Sequence, residues 1–317
     1  MKVAVLKGGI GSEREVSLVS GGAVAEALRG EGFDVTEVDA HPARLEAALR
    51  RIAPDAVFNA LHGDWGEDGQ VQRILDGLRL PYSHSGAEAS ALAMDKLATR
   101  DALTAVGIRF AESRETARAE IARGGAMDPP YVVKPNGQGS SASVHLVMAE
   151  TPGALAAIAA DEGLGPHPMV ERYVPGRELT VACMDGRALM VTEIIPEGWY
   201  SYEEKYGDNA ARHELPANLP EAVTAECLRV AELAHRTLGC RGLTRTDFRY
   251  DDSELGVDNA SRTELANRVV TLELNTQPGM TPNSLAPEQA AALGMGFGEL
   301  CRWIVEDASW PRGTQHT

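Results

Sequence analysis

Apolar and polar positions change their period several times along the chain, and each change marks an element. KVAVL, residues 2–6, is a short apolar run closed by the turn GGIGS, as expected of a buried strand. Ser12 and Glu15 have the spacing of a helix capping box, and a helical pattern follows to Gly32. DAVFNAL predicts another strand, ending at HGDWGEDG, and VQRILDGLRL another helix. Strands alternating with helices predict a parallel sheet, with ligand-binding loops at the carboxyl ends of its strands.

From about residue 96 the pattern changes. The helix DKLATRDALTAVG leads to the strand YVVKP, the loop NGQGSSAS, the strand VHLVM, an alanine-rich helix, and the strands MVERYV and ELTVACM. Next come the polar aromatic segment EGWYSYEEKYGDN, the helix EAVTAECLRVAELAHRTLG and the strands RTDFRY and RVVTLELN. The pattern predicts three α/β domains, spanning 1–95, 96–182 and 183–310, with a loose tail over 311–317.

The stretch TLELNTQPGMTPNSL begins as an alternating strand and is broken by a proline and a glycine. Strand alternation puts Glu273 and Asn275 on one face, and likewise Arg245, Asp247 and Arg249 in RTDFRY. Paired as a hairpin, the two strands bring Asp247, Glu273 and Asn275 together as three oxygen ligands. Hard oxygen donors in small number suit Mg²⁺, which completes its shell with water and substrate phosphate. A solvated strand face is the alternative, and the proline and glycine loop just downstream weighs against it.

Composition narrows the partners. A formal net charge of -16 argues against nucleic acid or an anionic membrane surface. The four cysteines include no CxxC pair and read as buried thiols of a reducing cytoplasm. The N-terminus MKVAVLKGG lacks the apolar region of a secretory signal, and no apolar run reaches the ~18 residues of a membrane span. A soluble cytoplasmic protein is expected.

VVKPNGQGSSAS sets Lys134 at a strand end before a loop of small residues whose N–H groups can lie over a polyphosphate. On these residues alone a plain hairpin turn is the better reading. Neither a Walker A loop nor a GxGxxG fingerprint occurs. Glu13, in a first helical turn, is favourable there for capping reasons alone. His62 alone in a loop reads first as structural. Lys96, Lys134 and Lys205 each flank a loop or strand end and together can neutralise phosphate.

Taken in order, GSEREVS, ALHGDWGEDGQVQ, YSHSGAEASALAMDK, VVKPNGQGSSAS, VERYVPGRELTV, YSYEEKY, GLTRTDF and LELNTQPGMTPNSLAP resemble the D-alanine:D-alanine ligases of the ATP-grasp superfamily. The likeness runs from Val3 to about Asp307. It implies a three-domain ATP-grasp fold with a Rossmann-like N-terminal domain, and a cytoplasmic homodimer that joins two D-alanines for peptidoglycan. The implied reaction transfers the γ-phosphate of ATP to one carboxylate, and the second amine then displaces phosphate.

The resemblance also implies roles. Asp247, Glu273 and Asn275 match ligands of two Mg²⁺ ions, for which Mn²⁺ can substitute. Lys96, Lys134 and Lys205 match phosphate contacts; Glu171, Tyr173, Val174 and Glu178 fall in the adenine and ribose segment; Ser140 and Ser141 lie in the loop over the phosphates. Glu13 and His62 match residues at the first D-alanine. Arg245 and the Gly279 N–H match the oxyanion donors, and Ser284 and the Leu285 backbone the second carboxylate site. Tyr206 matches a mobile-loop tyrosine that links to Ser140 and Glu13.

Three positions depart from the family pattern. Ser143 replaces a usual glycine, Arg73 a usual small residue, and DDSELGVDNASRTELANR lengthens the segment between the two strands. Competing expectations are a ligase that takes D-lactate or D-serine second, which Tyr206 disfavours for D-lactate, and an ATP-binding regulatory protein without turnover. A nicotinamide oxidoreductase fails on the missing glycine fingerprint.

Overall fold

The computed structural model describes residues 1–139, 143–195, 211–252 and 261–312. The first 59 residues build β1 (Lys2–Gly8), α1 (Arg14–Gly30), β2 (Asp34–Ala40), α2 (Leu45–Ile52) and β3 (Ala56–Asn59). Their strands form a parallel sheet in the order β2-β1-β3. Central β1 is apolar on both faces, as a covered parallel strand must be. Val3, Val5 and Phe58 pack with Val24 and Leu28 of α1, while Leu6 and Val57 pack with Leu45 and Leu49 of α2. The Ser12–Glu15 capping box does not form. Instead α1 starts at Arg14 with Glu13 at its N-cap, and no side chain caps it.

Next come α3 (Gln70–Leu78), α4 (Ala87–Met94) and α5 (Lys96–Thr104). They are followed by β4 (Ser113–Glu115), α6 (Arg118–Arg123), β5 (Tyr131–Lys134), β6 (His145–Val147), α7 (Pro152–Ala160) and β7 (Met169–Arg172). The four strands make an antiparallel sheet, β4-β7-β5-β6, over a small core of Ile121, Tyr131, Val133, Leu155 and Val170. A five-stranded antiparallel sheet follows, β10-β9-β8-β11-β12. Its strands are β8 (Arg177–Met184), β9 (Arg187–Ile195), β10 (Arg212–Glu214), β11 (Leu243–Tyr250) and β12 (Val269–Asn275). The remaining helices are α8 (Glu221–Thr237), α9 (Arg262–Ala266), α10 (Leu285–Ala292) and α11 (Phe297–Asp307).

Three placements differ from the sequence reading. Strand β8 lies wholly in the five-stranded sheet, so the chain changes sheets between Arg172 and Arg177 rather than at 182. Leu103 of α5 packs with Phe248, Leu274 and α8, so this helix belongs to the C-terminal core. The tail is not loose at its start. Arg312 is 1% exposed, donates to the His84 and Asp307 carbonyls and to Ser309, and pairs with the Asp307 carboxylate. A buried guanidinium with several acceptors fixes the chain there, where polar composition alone suggests solvent. Part of the long segment between β11 and β12 is also ordered, as α9 with a Ser261–Glu264 capping box.

Candidate active site

Strands β11 and β12 form the expected antiparallel pair, with Arg245 opposite Asn275 and Asp247 opposite Glu273. Opposed side chains on one sheet face lie close enough to share a ligand. Arg245 forks onto Asp247 with two bonds of 2.8 and 2.7 Å, and the Thr180 hydroxyl donates to Asp247 at 2.6 Å. The Lys96 ammonium stands 3.0 Å from the Glu273 carboxylate and donates to the Gln138 carbonyl at 2.7 Å. It is held there because Asp95 caps α5 and also accepts from Asn136. Lys96 thus joins the glycine and serine loop to β12.

Lys134, at the end of β5, donates to Glu171 on neighbouring β7 at 2.8 Å, and both are buried. The second Glu171 oxygen, Oε2, is buried with no hydrogen-bond partner among the described residues. A buried acceptor left open is costly unless a ligand donor reaches it. An exocyclic amine, such as that of adenine, is a donor of the right kind. The described residues contain no group of three His, Cys, Asp or Glu side chains able to hold a metal by themselves. The set Asp247, Glu273 and Asn275 has two carboxylates and one amide oxygen, which fits a Mg²⁺ that keeps water and phosphate in its shell.

The opposite wall comes from the N-terminal sheet. Glu13 is 7% exposed beneath Gly63, whose φ is +68°; a Cβ there would sit 2.8 Å from the Glu13 Oε1. The left-handed φ favours glycine there, and a side chain would displace the Glu13 carboxylate. Glu67 accepts from the Gly63 N–H at 2.8 Å. Burial, and then the charge of Glu13, push the Glu67 carboxyl well above the ordinary range. Across the cleft, a Cβ on Gly139 would lie 3.4 Å from Glu13 Oε1 and 3.7 Å from Glu67 Oε1, so the loop after β5 covers both acids. Glu67, Met94, Lys96, Gly139, Glu273 and Asn275 line one cleft where all three walls meet.

His62 is buried against Ser20, with Nε2 3.2 Å from the hydroxyl. Burial, and then the Arg245 charge, lower its pKa to about 4, so it is neutral at pH 7. Ser284 sits at the N-cap position of α10 without a capping bond from its side chain, and its hydroxyl bonds the Thr281 N–H at 3.1 Å and the Thr281 hydroxyl at 2.8 Å. A Cβ on Gly279 would come 3.1 Å from that hydroxyl. Leu285 opens α10, where unpaired N–H groups favour an anion. Ser140, Ser141, Lys205 and Tyr206 lie outside the described residues.

The departures noted in the sequence have local explanations. Arg73 pairs with Glu88 at an exposed position, 3.2 Å away. Ser143 takes a left-handed φ of 55°, and its hydroxyl bonds Asp161, which also pairs with His145 at 2.7 Å.

Two site residues escaped the sequence reading. Glu67 sits in the quoted HGDWGEDG loop, and only burial beside Glu13 distinguishes it from the neighbouring acids. Gln277, 1% exposed, accepts from Asn59 at 2.9 Å and donates to the Leu61 carbonyl, tying the end of β3 to the loop after β12. Its own N–H donates to Asn275 at 2.7 Å. Gln277→Leu is expected to lose on the order of tenfold in kcat/KM and a few degrees in Tm, since two buried partners would go unpaired. Steady-state kinetics with a thermal melt checks this.

Acid stability follows from the buried histidines. Burial, with Arg312 beside His84 and Arg236 beside His235, lowers His84 to about 3 and His235 to about 4, and His62 behaves likewise. The unfolded chain takes up these protons near pH 6.5 and the folded chain does not, so their stabilisation is full above pH 6.5 and is lost as pH falls. Raised Glu67 acts oppositely, holding a proton in the fold that the unfolded chain releases. The net of about two protons predicts a loss approaching ~3 kcal/mol per pH unit near pH 5. A Tm that stays flat from pH 7 to 5 in differential scanning fluorimetry contradicts it.

The family model described as D-ala D-ala ligase C-terminus matches residues 106–306. The D-alanine–D-alanine ligase of Dinoroseobacter shibae is 54% identical over 311 residues, covering 98% of this chain and 96% of that protein. That of Cereibacter sphaeroides is 51% identical, covering 98% and 97%. The crystal structure of the Bacillus anthracis D-alanine–D-alanine ligase complexed with ATP superposes with a TM-score of 0.78 at 26% identity, covering 98% of each chain. The fold is that of an ATP-grasp ligase. Within that class the chain belongs to the D-alanine–D-alanine ligase family.

Proposed function

We propose that the protein joins two D-alanines into D-alanyl-D-alanine, with cleavage of ATP to ADP and phosphate, for peptidoglycan synthesis. The observation that carries the reading is one cleft lined by Lys96, Gly139, Glu273 and Asn275, with Asp247 opposite Glu273 in the strand pairing and Glu13 packed under Gly139.

Glu13 holds the ammonium of the first D-alanine, with neutral His62 beside it. Asp247, Glu273 and Asn275 would hold two Mg²⁺ ions, which when bound supply positive charge to the triphosphate. Lys96, Lys134 and Lys205 contact the phosphates, and Ser140 and Ser141 close over them. ATP lies along Glu171, Tyr173, Val174 and Glu178, with Glu171 Oε2 accepting from its base.

Transfer of the γ-phosphoryl group to the first carboxylate gives an acylphosphate. The second amine, its carboxylate on Ser284 and the Leu285 N–H, attacks the carbonyl carbon; a C–N bond forms, the C–O bond to phosphate breaks, and the amine releases a proton. Arg245 and the Gly279 N–H stabilise the oxyanion between these events. Tyr206 closes the cleft and keeps water from the acylphosphate.

The protein works as a homodimer in the cytoplasm. No helix among the described residues is long and apolar enough to cross a membrane. A protein that binds ATP without turnover fits less well, because it has no use for oxyanion donors facing a first-substrate carboxylate.

The test follows oxygen. With D-alanine labelled with ¹⁸O in its carboxylate, the released phosphate is expected to carry one ¹⁸O per turnover. Unlabelled phosphate alongside dipeptide would overturn the acylphosphate route.

A further inference from the structure

Arg245, Asp247 and Arg249 alternate along one face of β11, and the proposed chemistry uses only the first two. Arg249 lies opposite Glu178 in the β11–β8 register. Its Nε donates to the Val174 carbonyl at 3.1 Å, one terminal nitrogen to the Gly176 carbonyl at 2.8 Å, and the other to Glu178 at 3.3 Å. The guanidinium carbon stands 5.9 Å from the centre of the Tyr173 ring. One side chain therefore grips Tyr173, Val174 and Gly176 of the connection between β7 and β8, and Glu178 at the start of β8.

At the start of that connection the Tyr173 N–H bonds the Pro130 carbonyl. Pro175 offers no N–H, and Gly176 has a φ of +94°, with the position of its absent Cβ 2.2 Å from the Tyr250 carbonyl. The turn is pressed against β11, where the Arg249 fork can reach it.

We propose that Arg249 is the positioning residue of the nucleotide segment, orienting Glu178 toward the ribose hydroxyls and fixing the backbone that meets the base. The inference rests on the placement of ATP along 171–178 given above. The guanidinium binds one Glu178 oxygen and so limits the directions the carboxylate can take. Its charge also offsets the repulsion between that carboxylate and a polyphosphate. Lysine cannot reproduce the fork, because a single ammonium cannot reach three acceptors in these directions.

The full-length variants R249K, R249M and E178Q test this through Mg-ADP affinity by calorimetry, with KM for ATP and for D-alanine and a thermal melt recorded alongside. R249M is expected to raise the Mg-ADP Kd and the ATP KM on the order of tenfold or more, and R249K nearly as much. The KM for D-alanine and the kcat at saturating ATP should move less than twofold. Full rescue by R249K, or equal rises in both KM values, would overturn the positioning role. Unchanged Mg-ADP affinity in R249M with weakened affinity in E178Q would overturn it too, and leave the nucleotide placement standing. Unchanged affinity in both R249M and E178Q would overturn the placement itself, and the inference with it.

Discussion

Replacing Glu273 with glutamine is expected to abolish dipeptide formation, lowering kcat by at least ~10³-fold, while the fold survives. Glutamine keeps the size and one acceptor oxygen but removes the negative charge that Glu273 would offer a divalent ion. Asn275 is already neutral, so Asp247 would remain as the only anion of the set. Each factor of ten in rate corresponds to about 1.4 kcal/mol of barrier, and charge stabilisation by a metal supplies several. The structural loss is smaller. The Glu273 side chain is 28% exposed and pairs with the Lys96 ammonium. A half-open pair of this kind contributes on the order of 1 kcal/mol or less. Circular dichroism melts should stay within a few degrees of the parent, while ADP release with D-alanine disappears. Wild-type turnover in this variant would sink the metal assignment.

Arg245→Lys is expected to lower kcat on the order of 100- to 1000-fold, the usual loss for one oxyanion donor. Lysine keeps the charge but not the fork. In the present arrangement the guanidinium engages both oxygens of Asp247, so its direction is set before substrate arrives. A lysine at this position would still neutralise Asp247 and would place no second N–H toward the reacting carbonyl. The KM for ATP should change little, because the nucleotide segment is held by Arg249 and Lys134. Single-turnover measurement of dipeptide formation separates the chemical step from product release. A kcat within threefold of the parent would remove Arg245 from the oxyanion role.

The hairpin of β11 and β12 is legible in the sequence because its signal is local. Alternation in RTDFRY and TLELN assigns faces two residues apart, and the proline and glycine after Asn275 end the strand. The pattern thus puts the three oxygen residues on one hairpin face, while the Asp247–Glu273 pairing and the irregularity just after it come from the fold. Lys96 and Lys134 are legible for the same reason, each sitting where an element begins or ends.

What stays hidden depends on contacts between distant segments. Gln277 looks like a spacer beside Pro278, and its role appears only when β3 arrives from more than two hundred positions away. Glu67 is one acid among several until burial beside Glu13 raises its pKa. Arg249 reads as the third polar residue of a strand face, and only the turn between β7 and β8 supplies its acceptors. Arg312 belongs to a polar tail by composition, yet the Asp307 carboxylate and the His84 carbonyl draw it inside. The capping signal at Ser12 failed for a related reason. The helix starts where Glu13 becomes buried under Gly63, a demand of the site rather than of helix propensity.

The most direct test of the central claim is the product itself. The protein would be incubated with Mg-ATP, D-alanine and excess D-lactate near neutral pH, and the products identified by mass spectrometry. D-alanyl-D-alanine formed in step with ADP is the predicted result. Depsipeptide as the main product would contradict the acceptor assignment, and intact ATP binding without any product would contradict the ligase reading.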